Sequence, residues 1–165
     1  MEREVYVLVE KKKGGGSKVA FFACLVLALI GVAGFFAVGY GVAFLMAIIF
    51  GVLAWFIHKS SVEYEYSHFD GEVKFVKIKN KSRRKKIAIY NMEDVTMIAP
   101  VMDRSVYGQV NNPKMKVIDL TSQKEDANVY AMVAKGEQGP EVIKFEPDEQ
   151  FLDAIAKKNA MKVKK

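Results

Sequence analysis

The pattern of polar and apolar positions divides the chain into three stretches. From residue 19 to residue 57 there is no Asp, Glu, Lys, Arg or His. One helix of that length would run about 58 Å, roughly twice the ~30 Å hydrocarbon core of a bilayer, so the stretch predicts two antiparallel spans of about 19 residues each. Small residues place the turn. Ala20, Cys24, Ala28 and Gly31 recur in the first half, and Ala43, Ala47, Gly51 and Ala54 in the second. Each series has helical spacing and would line one face along which a neighbouring helix approaches closely. Matched in antiparallel order, Ala20 to Ala54 and Gly31 to Ala43, the two series close on a turn near 37–40, where Gly39 supplies the turn conformation. Cys24 reads as packing within the stripe, Tyr40 and Trp55 as interfacial anchors, and His58 as a boundary residue.

Before this hairpin, Val5, Val7 and Val9 alternate, followed by Lys11, Lys12 and Lys13 and by Gly14, Gly15, Gly16 and Ser17. Residues 1–18 are expected to form a short extended arm and a flexible hinge on the cytoplasmic side. The glycine run is not a phosphate-binding loop, because it lacks the preceding buried strand and the Gly-Lys-Ser/Thr ending.

After residue 58 the period changes from helical to two. Val62, Tyr64, Tyr66 and His68 alternate with Glu63, Glu65 and Ser67, and Asp70-Gly71 signals a hairpin turn. The return strand, 72–80, shifts phase between Phe75 and Val76, which predicts a bulge. Further strands are expected at about 85–91, 94–100, 114–120, 127–134 and 141–146, with a long loop over 101–113. Phe151, Leu152, Ile155 and Ala156 lie on one face of a last helix. Pro147 is placed at its first position, Asp148 and Glu149 at its positive end, and Lys157 and Lys158 at its negative end. The expected organisation is therefore an arm (1–18), a two-helix transmembrane hairpin (19–58), and a mainly-β domain of seven strands and a C-terminal helix (59–165).

Composition sharpens this. The chain is 51% hydrophobic and 27% charged, with 25 Lys+Arg against 19 Asp+Glu and a net charge of +6. All of that charge lies outside the apolar block, a partition that excludes a purely soluble single domain. The single cysteine excludes a disulfide framework. Basic residues flank the hairpin on both sides and its tip is uncharged, so the positive-inside rule puts both termini in the cytoplasm of a multi-pass protein of the cell membrane.

Seven strands followed by a helix is the order of the pleckstrin-homology (PH) fold. Val62-Glu63-Tyr64-Glu65-Tyr66, Phe69-Asp70-Gly71-Glu72-Val73 and Asn80-Lys81-Ser82-Arg83-Arg84-Lys85 resemble an uncharacterised family of small bacterial membrane proteins. Its members carry a two-helix transmembrane hairpin and a C-terminal bacterial PH-like domain. Phe145-Glu146-Pro147-Asp148-Glu149-Gln150-Phe151 resembles the start of their final helix. The resemblance implies architecture, a seven-stranded β barrel or sandwich with a C-terminal helix. It brings no catalytic residue, substrate or cofactor.

The residues themselves offer little chemistry. His58 and His68 are the two histidines, there is no paired Cys/His metal spacing, and Cys24 lies in the apolar block. Glu93-Asp94 and Glu125-Asp126 fall in expected turns. No catalytic, metal or cofactor site is expected, and the chain reads as non-enzymatic. The main signal outside the membrane is basic: Lys77, Lys79, Lys81, Arg83, Arg84, Lys85 and Lys86 follow Lys74 with no acid among residues 74–86. Alternation places Lys77 and Lys79 on the solvent face. The cluster is a candidate contact for anionic inner-leaflet lipid or for a protein partner. Nucleic acid is not expected, since no stacking aromatics are interleaved with the charges. The tail lysines Lys157, Lys158, Lys162, Lys164 and Lys165 are expected near the same leaflet. The reading is an interaction, scaffold or sensing module at the inner leaflet; the alternatives are a tethered lipid-headgroup-binding module or an accessory subunit of a transporter.

Overall fold

A computed structural model describes residues 4–39, 41–136 and 139–165. The chain forms two compact units: Lys13–Ser61 is one, and the segment ending at Lys12 joins Val62–Lys165 in the other.

The helical unit consists of α1 (Gly15–Val38) and α2 (Gly41–Lys59). Both are long and apolar enough to cross a membrane, with mean hydropathies of 2.7 and 2.2. Gly39 ends α1 in the left-handed conformation (φ 72°), and its N–H donates to the Phe35 carbonyl at 2.9 Å. This is a glycine C-cap, which a residue with a Cβ would strain. Tyr40 lies outside the described residues. Trp55 is exposed on α2 with the Lys59 ammonium 5.0 Å from its ring centre. The Lys13 ammonium donates to the His58 carbonyl, which ties the two ends of the hairpin together.

The inward positions of the hairpin are Phe21, Cys24, Ala28, Gly31 and Gly34 on α1, and Ala43, Ala47, Phe50, Ala54 and Ile57 on α2. Their steps are all of three or four residues, the spacing that keeps one face of each helix toward its neighbour. Closest approach is at Gly31, where a Cβ would stand 2.8 Å from the Ala43 carbonyl oxygen and 2.9 Å from the Ala47 nitrogen. The expected small-residue stripe is corrected at two places. Ala20 and Gly51 are exposed, and Phe21 and Phe50 take their turns in the seam. Two successive steps of four, Ala20 to Ala28 and Ala43 to Gly51, overrun a seam of mean period about 3.5, so one residue of each run falls off it.

Among the described residues the second unit has eight strands, one more than expected. β1 (Val5–Glu10), β2 (Val62–Phe69), β3 (Glu72–Lys79) and β4 (Arg83–Asn91) form one antiparallel sheet in that order. The second sheet has the order β5 (Val95–Pro100), β7 (Tyr130–Gly136), β8 (Gly139–Phe145), β6 (Lys116–Asp119), with β6 parallel to β8. The two sheets do not close into a barrel. The extra strand is the N-terminal segment. Val5, Val7 and Val9 pair with His68, Tyr66 and Tyr64, so residues expected as a separate arm belong to the β unit. The hairpin is thus spliced between two neighbouring strands of one sheet.

Asp70 and Gly71 both have positive φ in the β2–β3 turn, as an Asp-Gly hairpin requires. The bulge falls where Phe75 pairs with Ala88 and Val76 with Lys86; the extra residue is Ile87, in β4. Tyr66, Phe75, Phe145 and Phe151 are fully buried and meet edge to face, with ring centres 5.5 Å apart for Phe75 and Phe145 and 5.6 Å for Tyr66 and Phe145. These rings join both sheets to α4 (Glu149–Asn159), whose Phe151, Leu152 and Ile155 are buried. Asp148 is its N-cap and accepts from the Phe151 N–H at 2.7 Å, so Pro147 sits one residue outside the cap and not at the first helical position.

The expected loop over 101–113 contains a helix, α3 (Arg104–Val110), capped by Asp103. Val106 is fully buried in a second apolar cluster with Ala99, Ala131, Val133 and Val142, the side of the second sheet that faces away from α4. Such a helix is too short for a periodic signal, and it exists because Val106 has a sheet to cover. The C-terminal tail is likewise held. Val163 bridges Ile98, the Lys164 N–H donates to the Ile98 carbonyl at 2.8 Å, and the Lys164 ammonium pairs with Asp103 at 3.2 Å. Lys165 pairs with Asp153, and Lys162 donates to the Met92 carbonyl. The expectation that these lysines reach for the leaflet is therefore set aside for Lys162, Lys164 and Lys165, whose ammonium groups are engaged on their own domain.

Candidate functional site

The basic set lies at one end of the first sheet, and the strand register says which end. Val62, where the chain returns from α2, pairs with Lys79, and Lys79 pairs with Arg83. On the other side the Lys11 N–H donates to the Val62 carbonyl at 2.9 Å. The last residues before the hairpin, the first residue after it and the β3–β4 turn are therefore consecutive neighbours along one sheet end. The turn itself is tight: Asn80 (φ 52°) and Lys81 (φ 57°) are both left-handed, and the Ser82 N–H donates to the Lys79 carbonyl at 3.2 Å. Asn tolerates that conformation and Lys does so at a cost.

Lys77 pairs with Lys85 and Lys79 with Arg83. Directly opposed residues share a face, so these four cations stand as two like-charge pairs, an arrangement that costs stability. Lys77 also pairs with Tyr64, which is buried, and its ammonium is 5.9 Å from the Tyr64 ring centre. That corrects the expected solvent face for Lys77; Lys79 is exposed, as expected. Lys77 and Lys79 lie on the core side of β3, beyond the point where the core ends, and Lys77 is half-buried. Burial, then the neighbouring charges of Lys79, Lys11 and Lys85, push the Lys77 ammonium below its ordinary pKa. Arg84 and Lys86 project from the opposite face, where Arg84 meets Glu65 at 3.2 Å. Among the described residues no acid pairs with Lys79, Lys81, Arg83, Lys85 or Lys86.

The structure thus brings Lys77, Lys79, Arg83 and Lys85 together on one face with Lys81 at the tip, and separates Arg84 and Lys86 from them. It adds Lys11 and Tyr64. The Val5, Val7, Val9 alternation was the available signal for Lys11, because it marks a strand whose end must lie beside β2. What the arrangement can do chemically is bind an anion. Like charges crowded around a partly desolvated ammonium are relieved by a phosphate or carboxylate.

Two buried tyrosines elsewhere are occupied in holding the fold. The Tyr66 hydroxyl donates to the Leu120 carbonyl at 2.5 Å, and burial pushes its pKa up. The Tyr90 hydroxyl donates to Glu141 at 2.8 Å, and the Lys116 ammonium reaches the same carboxylate at 3.0 Å. Among the described residues no group of three His, Cys, Asp or Glu is placed to hold a metal ion.

No curated protein matches this chain. The family model described as a bacterial PH-like domain (DUF6106) matches residues 3–165, which takes in β1, the apolar hairpin and the whole second unit. With two apolar helices spliced into a β-rich unit that ends in a helix, and that match across nearly its full length, the chain belongs to the bacterial PH-like domain (DUF6106) family.

Proposed function

We propose that this protein is a non-enzymatic, membrane-anchored interaction module. In this reading α1 and α2 cross the cell membrane with both ends in the cytoplasm, and the PH-like domain is held at the inner leaflet. Its cations Lys11, Lys77, Lys79, Lys81, Arg83 and Lys85 lie against anionic headgroups.

The observation that carries the reading is the position of the hairpin between β1 and β2. β1 is paired with β2 along its whole length, so the chain leaves for α1 and returns from α2 at one sheet end. In this reading both helix ends are on the domain's side of a bilayer. This supports the topology independently of the basic flanks. The same sheet end carries the cation set, within a few residues of the membrane surface. At that range, inside a Debye length of ~8 Å, each cation contributes about 1 kcal/mol of attraction to an anionic leaflet. Because the domain is already tethered, that attraction sets its orientation; Arg83 and Lys85 are shared between the headgroups and an acidic protein partner.

The test uses the full chain reconstituted into vesicles, since β1 is part of the domain. Amide exchange of residues 77–86 is compared between vesicles with and without anionic lipid. Slowing in anionic vesicles at low salt, lost at high salt, is expected; equal exchange in both would remove the lipid contact. Digestion of the domain by protease added outside intact cells would overturn the topology.

A further inference from the structure

The sheet orders leave two strands with a free edge toward the gap between the sheets. Among the described residues β4 is unpaired on the side away from β3, and β6 on the side away from β8. The gap between them is a cleft of about 450 Å³, with Ile87 and Ile89 of β4 on one wall and Ile118 of β6 on the other. Its floor is held by hydrogen bonds. Glu141 is buried there and holds both Tyr90 and Lys116. The Lys135 N–H donates to the Asp94 carbonyl at 2.9 Å.

Along β4 the chemistry changes halfway. Residues 83–86 are Arg, Arg, Lys and Lys, all exposed, whereas Ile87 and Ala88 are half-buried and Ile89 is 37% exposed. Charge is how natural sheets protect a free edge from pairing with another chain. Here it guards only the first half of the strand. The second half is apolar, without proline, and opens on the cleft.

We propose that the free edge of β4 receives an extended segment of a protein partner, with acidic residues opposite 83–86 and aliphatic residues opposite 87–89, lying in the cleft. The backbone groups of β4 give such a segment its hydrogen bonds, and the two halves of the strand give it its sequence preference. Charge selects the occupant. Among the described residues the four cations have one acidic partner, Glu65 on Arg84, and an acidic strand laid beside β4 meets them from both faces. A second copy of this chain is disfavoured, since it brings the same four cations to the seam. The inference deepens the interaction-module reading and rests on it for the partner, but it does not depend on lipid contact.

The experiment uses the full chain in a nonionic detergent without lipid, so that failure of the headgroup contact leaves it untouched. The probes are fluorescein-labelled peptides with four alternating Thr and Val residues joined to a Glu-Asp-Glu-Glu block, made in both block orders to cover either strand direction. Matched peptides carry N-methyl groups on every second amide, in both phases. One block order is expected to bind saturably by fluorescence anisotropy and to slow amide exchange in β4. N-methylation in one phase is expected to weaken it at least tenfold, as is Ile89→Lys, a change at an exposed position. Equal binding of all N-methylated peptides would reduce the effect to charge attraction and overturn the proposal. So would unchanged exchange in β4, or a sedimentation profile showing that two copies pair through this strand.

Discussion

The seam of the apolar hairpin makes a sharp prediction, because two glycines of α1 and α2 with the same expected role have opposite surroundings. At Gly31 a Cβ would stand 2.8 Å from the Ala43 carbonyl oxygen, 2.9 Å from the Ala47 nitrogen and 3.1 Å from the Ala47 Cα. All three are backbone atoms, so no side chain can rotate away, and Gly31→Ala must push the helices apart by several tenths of an ångström. Overpacking of this kind costs about 1–3 kcal/mol. At Gly51 a Cβ meets nothing within 4 Å. Gly51→Ala is there a plain helix-propensity change, favourable by up to about 1 kcal/mol. The propensity gain is common to both sites and cancels, so the same one-carbon substitution should differ by about 1–3 kcal/mol between them, roughly fivefold to more than a hundredfold in the helix-pairing equilibrium. Titration of the full chain with SDS in mixed micelles, followed by amide exchange over residues 20–57, reads this difference. Gly31→Ala should open the hairpin at a lower SDS fraction, and Gly51→Ala at an unchanged or higher one. Equal midpoints, or the larger loss at Gly51, would refute the seam.

Three further outcomes concern the PH-like domain. Tyr66→Phe removes the donor from a buried hydrogen bond and leaves the Leu120 carbonyl without it, a loss of about 1–3 kcal/mol that urea unfolding of the domain should register. Asp148→Ala deletes the cap on the Phe151 N–H and should cost about 1 kcal/mol, while Asp148→Asn, which keeps the acceptor, should cost much less. The third is a pH effect. The Ser105 hydroxyl and N–H, followed by Lys164, hold the Asp103 carboxyl down at about 2. A depressed carboxylate stabilises the fold above its ordinary value of 3.8, and that contribution disappears as the pH falls through about 2. Amide exchange in α3 should accelerate across that window, and Asp103→Asn should flatten the response.

Much of this architecture was legible in the linear pattern, and the parts that were not share a cause. The uncharged block, the Asp70-Gly71 turn, the phase break at Phe75 and the apolar face of α4 are local or periodic, and a periodic signal survives without knowledge of its partner. The misreadings concern partners. Ala20 and Gly51 have the right composition for a seam, but the 3.5-residue period set by a facing helix passes them by. Val106 and Val110 stand one helical turn apart in a segment too short for a periodic signal, and they make a helix because a sheet face needs covering. The tail lysines read as free cations until Asp103 and Asp153 are brought beside them.

The candidate site shows the same division. The run of cations in 77–86 is determined by sequence alone, as is the presence of an apolar hairpin close before it. Only the tertiary structure decided that Lys77, Lys79, Arg83 and Lys85 share one face, that Arg84 and Lys86 take the other, and that Lys11 joins the sheet end from the far side of the hairpin. The reason is physical. A strand's own sequence sets which side chains alternate, but register against its neighbours sets which face is buried, and one neighbour of β2 lies beyond the whole apolar hairpin in the chain.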